Sequence, residues 1–174
     1  MHFNSLFLLV AVALFLPSCD TDEENTSPES SIVGSWSIDD GTGSGKTTTT
    51  YQGETYVVDF TNRLVEPTDF IMNFHANGTV NSQGTLTMET TTTYNGQSEV
   101  HTNTMSDLFG EGEYEVQGNT LRAWTDQSEA SEMTILTLTE TELVLEASGT
   151  QTQIKDGAEA RSEQTITYTC TRVL

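Results

Sequence analysis

Two cysteines, Cys19 and Cys170, are the strongest nucleophiles in this 174-residue chain, and His2, His75 and His101 are its histidines. A thiol attacks only as thiolate, which requires a nearby cationic group and access to solvent, and no Cys/His spacing supplies either. Cys170 closes the run Ile166-Thr167-Tyr168-Thr169-Cys170, on the strand face shared by Ile166 and Tyr168. There a thiol serves as a small buried hydrophobe. His75 alternates away from Phe74, and His101 has no second ligand at a zinc-binding spacing. Carboxylates are spread along the whole chain, with no Ser/His/Asp grouping and no distinct acid pair. The expectation is a protein that is not an enzyme and holds neither a metal nor a cofactor.

One segment imitates a chemical motif. Asp40-Gly41-Thr42-Gly43-Ser44-Gly45-Lys46-Thr47 approaches the phosphate-binding loop of nucleotide enzymes. That pattern needs glycine five residues before Gly45, where Asp40 would repel a phosphate. It must also open a helix, whereas Thr47-Thr48-Thr49-Thr50-Tyr51 favours strand. Asp39 and Asp40 could offer oxygens to calcium, but the EF-hand spacing is absent. The segment reads as a flexible, solvated hairpin loop.

Residues 6–16, LFLLVAVALFL, carry no charge or amide. The run is too short to span a bilayer and matches the apolar centre of a secretory signal. It ends at Leu16-Pro17-Ser18-Cys19, and Asp20, Asp22, Glu23 and Glu24 follow at once. Leu16, Ser18 and Cys19 resemble the lipobox of bacterial lipoproteins. The resemblance implies that residues 1–18 are a signal peptide, that cleavage precedes Cys19, and that lipid on Cys19 is the membrane anchor. Cys170 is then left without a disulfide partner.

The net charge of −20 resides wholly beyond residue 19, because residues 1–19 contain no Asp, Glu, Lys or Arg. Such a surface repels nucleic acid and anionic headgroups, so neither is an expected partner. Residues 20–31, DTDEENTSPESS, offer nothing apolar to offset the entropy of ordering. With Cys19 they form an acidic tether over 19–31. Acidic residues directly after the cysteine are similar to the surface-export signal of lipoproteins in Bacteroidota-type bacteria, which implies an outer-membrane location facing outward.

Beyond Ser31 no window keeps a helical period. Thr-rich alternation with a period of two, cut by turn dipeptides, is the all-β pattern. Phe70, Met72 and Phe74 alternate inward before Ala76-Asn77-Gly78, which sets Val80 beside Phe74. A two-residue loop at Gly118-Asn119 pairs Val116 with Leu121. The same loop length at Glu140-Thr141 pairs Leu138 with Leu143 and Leu136 with Leu145. Residues 32–174 are therefore expected to form one antiparallel up-and-down β-barrel of about 8–10 strands, a two-sheet sandwich being the alternative.

The quoted runs from Phe74 to Val80, Tyr114 to Leu121 and Leu138 to Leu145, with Ile32-Val33-Gly34-Ser35-Trp36 opening the domain, resemble the lipocalin-like lipoproteins of the same bacteria. Gly34-x-Trp36 is similar to the first-strand motif of lipocalins, in which a basic residue of the last strand packs over the tryptophan. Arg172 stands at the matching place. Alternation supports the pair independently, since Ile32, Gly34, Trp36 and Ile38 share one face, as do Ile166, Tyr168, Cys170 and Arg172. Trp36 and Arg172 are thus the expected structural closure, with the guanidinium relieved by backbone carbonyls or a carboxylate.

The resemblance implies a non-catalytic binding domain for a small apolar or amphipathic ligand held inside the barrel. The alternative is a structural or surface-interaction lipoprotein whose filled barrel meets a protein or glycan. Side-chain size separates the two, because Phe70, Met72, Phe74, Leu86, Met88, Trp124, Leu136, Leu138, Leu143 and Leu145 are large enough to fill a small barrel. Ligand identity and oligomeric state are not written in the sequence.

Overall fold

A computed structural model describes residues 32–65, 69–106, 108, 111–125 and 130–174. The signal peptide, Cys19 and the acidic tether lie outside the described residues. The chain forms eleven strands: β1 (Gly34–Tyr51), β2 (Glu54–Leu64), β3 (Ile71–Phe74), β4 (Thr79–Gln83), β5 (Leu86–Tyr94), β6 (Gln97–Met105), β7 (Gly112–Gln117), β8 (Thr120–Trp124), β9 (Ser131–Leu138), β10 (Glu142–Lys155) and β11 (Ala158–Val173). They make one antiparallel sheet, closed into an eight-stranded barrel where β11 pairs with β1.

Register explains how eleven strands make an up-and-down barrel. β1 pairs with β3 through Gly34–Ser37 and with β2 through Thr42–Tyr51, so β2 and β3 are one descending pass, interrupted. β4 and β5 form the next ascending pass, and β6 and β7 the descent after it. Single strands β8 to β11 complete the eight passes. The interruptions sit beside one another. The Asp69 carboxylate accepts from the Thr85 N–H (2.8 Å) and hydroxyl (3.2 Å), which ties the break before β3 to the break before β5. Those bonds hold the Asp69 carboxyl below its ordinary range.

Above the breaks only six strands continue, in the order β6-β5-β2-β1-β11-β10. Their tips are three two-residue turns, Gln52-Gly53, Asn95-Gly96 and Asp156-Gly157, with positive φ at both residues of each. That geometry suits the right-handed twist of hairpin strands. Below the breaks all eight passes surround one core. Trp36, Ile38, Phe70, Met72, Phe74, Leu86, Leu121, Leu143, Leu145 and Cys170 are at most 1 % exposed. Phe74 and Tyr114 meet edge to face at 5.1 Å near the lower end.

Two bulges re-aim side chains. In β1 the register shifts between Ile38 and Asp40, so Gly41, Gly43 and Gly45 take the inward face. In β9 a shift sets Ile135, not Leu136, opposite Leu145, and Leu136 is 51 % exposed. The expected pair of Leu136 with Leu145 is therefore corrected, one extra residue having reversed the alternation. Phe74 with Val80, Val116 with Leu121 and Leu138 with Leu143 pair as expected.

The glycine-rich segment, expected as a hairpin loop, lies inside β1. Side chains from neighbouring strands cover its glycines: Tyr168 lies over Gly41, Ile166 over Gly43 and Phe60 over Gly45. A Cβ at Gly45 would come within 2.4 Å of the Phe60 ring. These glycines are absent side chains in a packed wall, which removes the conformational freedom a solvated loop would have had.

Candidate functional site

Trp36 and Arg172 are cross-strand neighbours at the seam of β1 and β11. The indole is fully buried, and its N–H donates to the Ile32 carbonyl at 2.8 Å. The guanidinium carbon lies 4.2 Å from the centre of the indole. Arg172 Nε donates to the Glu140 carbonyl (2.6 Å) and Nη1 to the Val33 carbonyl (2.7 Å). Backbone oxygens thus relieve a partly buried charge. Gly34 makes the stack possible, since a Cβ there would meet Arg172 Nη1 at 2.3 Å and the residue has a φ of +140°.

Cys170 lies two residues before Arg172 and is fully buried. Burial, with the charge of Asp39 adding to it, pushes the thiol up to about 12, so it stays protonated at neutral pH. Burial also raises the phenol of Tyr168, and Cys170 adds to that shift. His75 and His101 are exposed and far apart in register, His101 facing Glu99 at 3.4 Å. Among the described residues, no three His, Cys, Asp or Glu side chains gather as a metal site. Lys46 pairs with Glu163 at 3.4 Å, and Asp59 stands opposite it on β2. Two carboxylates beside the lysine oppose phosphate electrostatically.

The barrel's inner face continues upward past Tyr168 as Ile166 and Gln164 on β11, flanked by Ala147 and Gly149 on β10. β9 pairs with β10 only through Glu146, so the wall is incomplete on that side. A cleft of about 530 Å³ opens here. Leu108 and Met133 form one side, Ile166 and Tyr168 the other, and Gly149 and Gln164 the outer lip. Leu108 and Ile166 pack on the core below. A Cβ at Gly149 would touch nothing within 4 Å, so the lip is open. The lining mixes apolar residues with Ser131, Glu132, Ser148 and Gln164, an arrangement suited to an amphipathic molecule.

Alternation set Ile166 and Tyr168 on the inward face, but nothing in the sequence pointed to a mouth beside them. Leu108 and Gly149 carry no local signal, and they meet only because β8 and β9 stop short of the rim. Trp124, expected in the core, is instead partly exposed at an outer cleft, because its partner in the β7–β8 ladder is the outward Glu113. Compared with protein-family models, with curated proteins and with solved structures, the chain matches none.

Proposed function

We propose that this protein is a lipid-anchored, non-catalytic binding protein of the bacterial cell envelope, and that a small amphipathic ligand sits at the barrel mouth. The lipobox around Cys19 supports the anchor, and the acidic tether supports the outer membrane facing outward. One observation carries the binding site: large side chains occupy the closed lower barrel, whereas a cleft of about 530 Å³ with a mixed apolar and polar lining opens directly above them. The ligand therefore rests on the core. It does not enter it.

Gly149→Trp tests the site, because the added indole would project into open space from an unstrained backbone. The environment-sensitive dye N-phenylnaphthylamine should bind the native domain saturably and lose affinity at least tenfold in this variant. Undiminished dye binding by a folded Gly149→Trp protein would move the site elsewhere. Cys19→Ala tests the anchor separately: it should give a soluble or uncleaved product, and unchanged processing and membrane association would remove the assignment.

A second reading, a surface-interaction protein for a protein or glycan partner, rests on the upper sheet. Its edges, β6 and the upper half of β10, pair with no further described strand, and Tyr51, Tyr56 and Tyr94 are more than 40 % exposed there. Dye binding that survives Gly149→Trp but falls in Tyr56→Ala would favour it.

A further inference from the structure

The six strands that continue above the breaks have two faces of opposite composition. Directly opposed residues of an antiparallel pair project to the same side, so the registers assign each side chain to one face. On the outward face Lys46 meets Glu163 at 3.4 Å, Arg161 meets Glu163 at 2.9 Å and Arg63 meets Glu89 at 2.6 Å. On the inward face, between the breaks and the tips, no described residue of β10, β11, β1, β2 or β5 is charged. In a chain of net charge −20 this is an exceptional surface.

That face carries rings and amides instead. Tyr56 and Phe60 lie four residues apart on the inward side of β2, roughly 13 Å along the strand. Tyr94 on β5 faces the same way. The Tyr56 hydroxyl donates to the Glu54 carboxylate at the strand tip, which holds the ring in place. That bond, with burial and the nearby Tyr94 adding to it, raises the Tyr56 phenol. On the other side of the sheet Gln151 and Gln153 of β10 are exposed on the same face. Between the two sides the residues are small: Gly45, Thr47 and Thr49 on β1, Ala160 and Ser162 on β11. Three strand spacings, roughly 14 Å, separate the rings of β2 from the amides of β10. The result is an uncharged trough with an aromatic side and an amide side.

We propose that this trough binds an uncharged oligosaccharide. The C–H face of a sugar ring packs on Tyr56, Tyr94 or Phe60 as apolar area leaves water. The amides both donate and accept, and so answer its hydroxyls. An anionic chain would meet the repulsion of the whole molecule and find no lysine or arginine in the trough to offset it. A protein partner would need a compact apolar centre, whereas these rings are spaced along the strands and bordered by hydroxyls. Several ring positions suit a chain of sugars better than one. The inference rests on the upper sheet read as an interaction surface, and it is independent of the ligand at the barrel mouth.

An oligosaccharide array probed with the full-length protein in detergent provides the test. Its probes are neutral hexose and N-acetylhexosamine chains beside sulfated and uronic-acid chains. Neutral chains alone should be retained, and isothermal titration with the best of them should give an affinity insensitive to sodium chloride. Tyr56→Ala should weaken that affinity about tenfold, whereas Tyr56→Phe, which keeps the ring, should retain most of it. Lys46→Ala, on the outward face, should change nothing, and thermal melting confirms that each variant folds. No neutral chain retained, a preference for the anionic chains, or full affinity in folded Tyr56→Ala would each overturn the proposal. If no neutral chain is retained but N-phenylnaphthylamine binding falls in Tyr56→Ala, the upper sheet remains an interaction surface and only the oligosaccharide is lost. Self-association abolished by Tyr56→Ala, again with no chain retained, would make the occupant a second copy of this protein.

Discussion

Below the rim, β11 carries Tyr168 and Cys170 into a closed wall. Above it, on the same inward face, it carries Gln164, Ser162 and Ala160. β1 changes likewise, from Trp36 and Ile38 to Gly43, Gly45, Thr47 and Thr49. In the lower part eight passes surround a common interior, so each inward side chain loses its water on every side. In the upper part six strands form an open sheet, and the inward residues of β1 are small or hydroxylated, as where Thr47 and Ser162 share a hydrogen bond at 2.8 Å. Strand pairing alone does not make a core; closure does, because burial scales with the apolar area removed from water. The mouth cleft lies at the boundary, where apolar side chains remain but the wall is missing.

The difference predicts where stability resides. Trp36→Ala should cost about 3–5 kcal/mol in urea unfolding, from lost burial and the cavity it leaves. A loss below about 1 kcal/mol would mean that the lower barrel is not the dominant core. Arg172→Ala should cost about 1–3 kcal/mol through the lost stack and two carbonyl bonds. Arg172→Lys should restore only part of that, since an ammonium cannot reproduce the planar fork.

Cys170 adds a pH dependence specific to the lower region. Its folded pKa of about 12 exceeds the ordinary 9.0, so the folded state retains a proton that the unfolded state releases. The associated stability is complete below pH 9 and is lost as pH rises toward 12, by about 1.4 kcal/mol per unit within that window. The stability difference between the native protein and Cys170→Ala should shrink over this interval. A difference independent of pH would show that the thiol is not held neutral. Smallest of all should be changes in the upper sheet: Ile154→Ser, at a residue 76 % exposed, should move stability by no more than about 0.5 kcal/mol. Amide exchange should meanwhile run faster in β6 and upper β10 than in β8 or lower β11, and equal protection throughout would erase the distinction between the regions.

Much of the fold was legible in local pattern. Alternation placed Phe70, Met72, Phe74, Leu143 and Leu145 inward, and turn residues set the registers at Gly78, Gly118-Asn119 and Glu140-Thr141. The three upper tips carry an equally local signal, X-Gly at Gln52-Gly53, Asn95-Gly96 and Asp156-Gly157, which the expected hairpins omitted. The bulges at Asp39 and Leu136 carry none that could be read in advance. Each reverses the alternation after it, so Leu136 faces solvent and the glycine run of β1 faces inward.

By itself, the amino-acid order determined the all-β class and the inward stripe of the lower strands, including the inward faces of Trp36 and Arg172, because these follow from a period of two and from turn chemistry; that the two would meet was implied only by the resemblance to lipocalins. Which passes would break and which would stop short of the rim depended on tertiary structure. So did the conversion of a phosphate-loop look-alike into the floor beneath Tyr168, Ile166 and Phe60. Clefts at Gly149 and Trp124 form between segments distant along the chain, where a strand ends or two strands barely meet. Such gaps belong to the closure of the whole sheet, and no short stretch of residues encodes them.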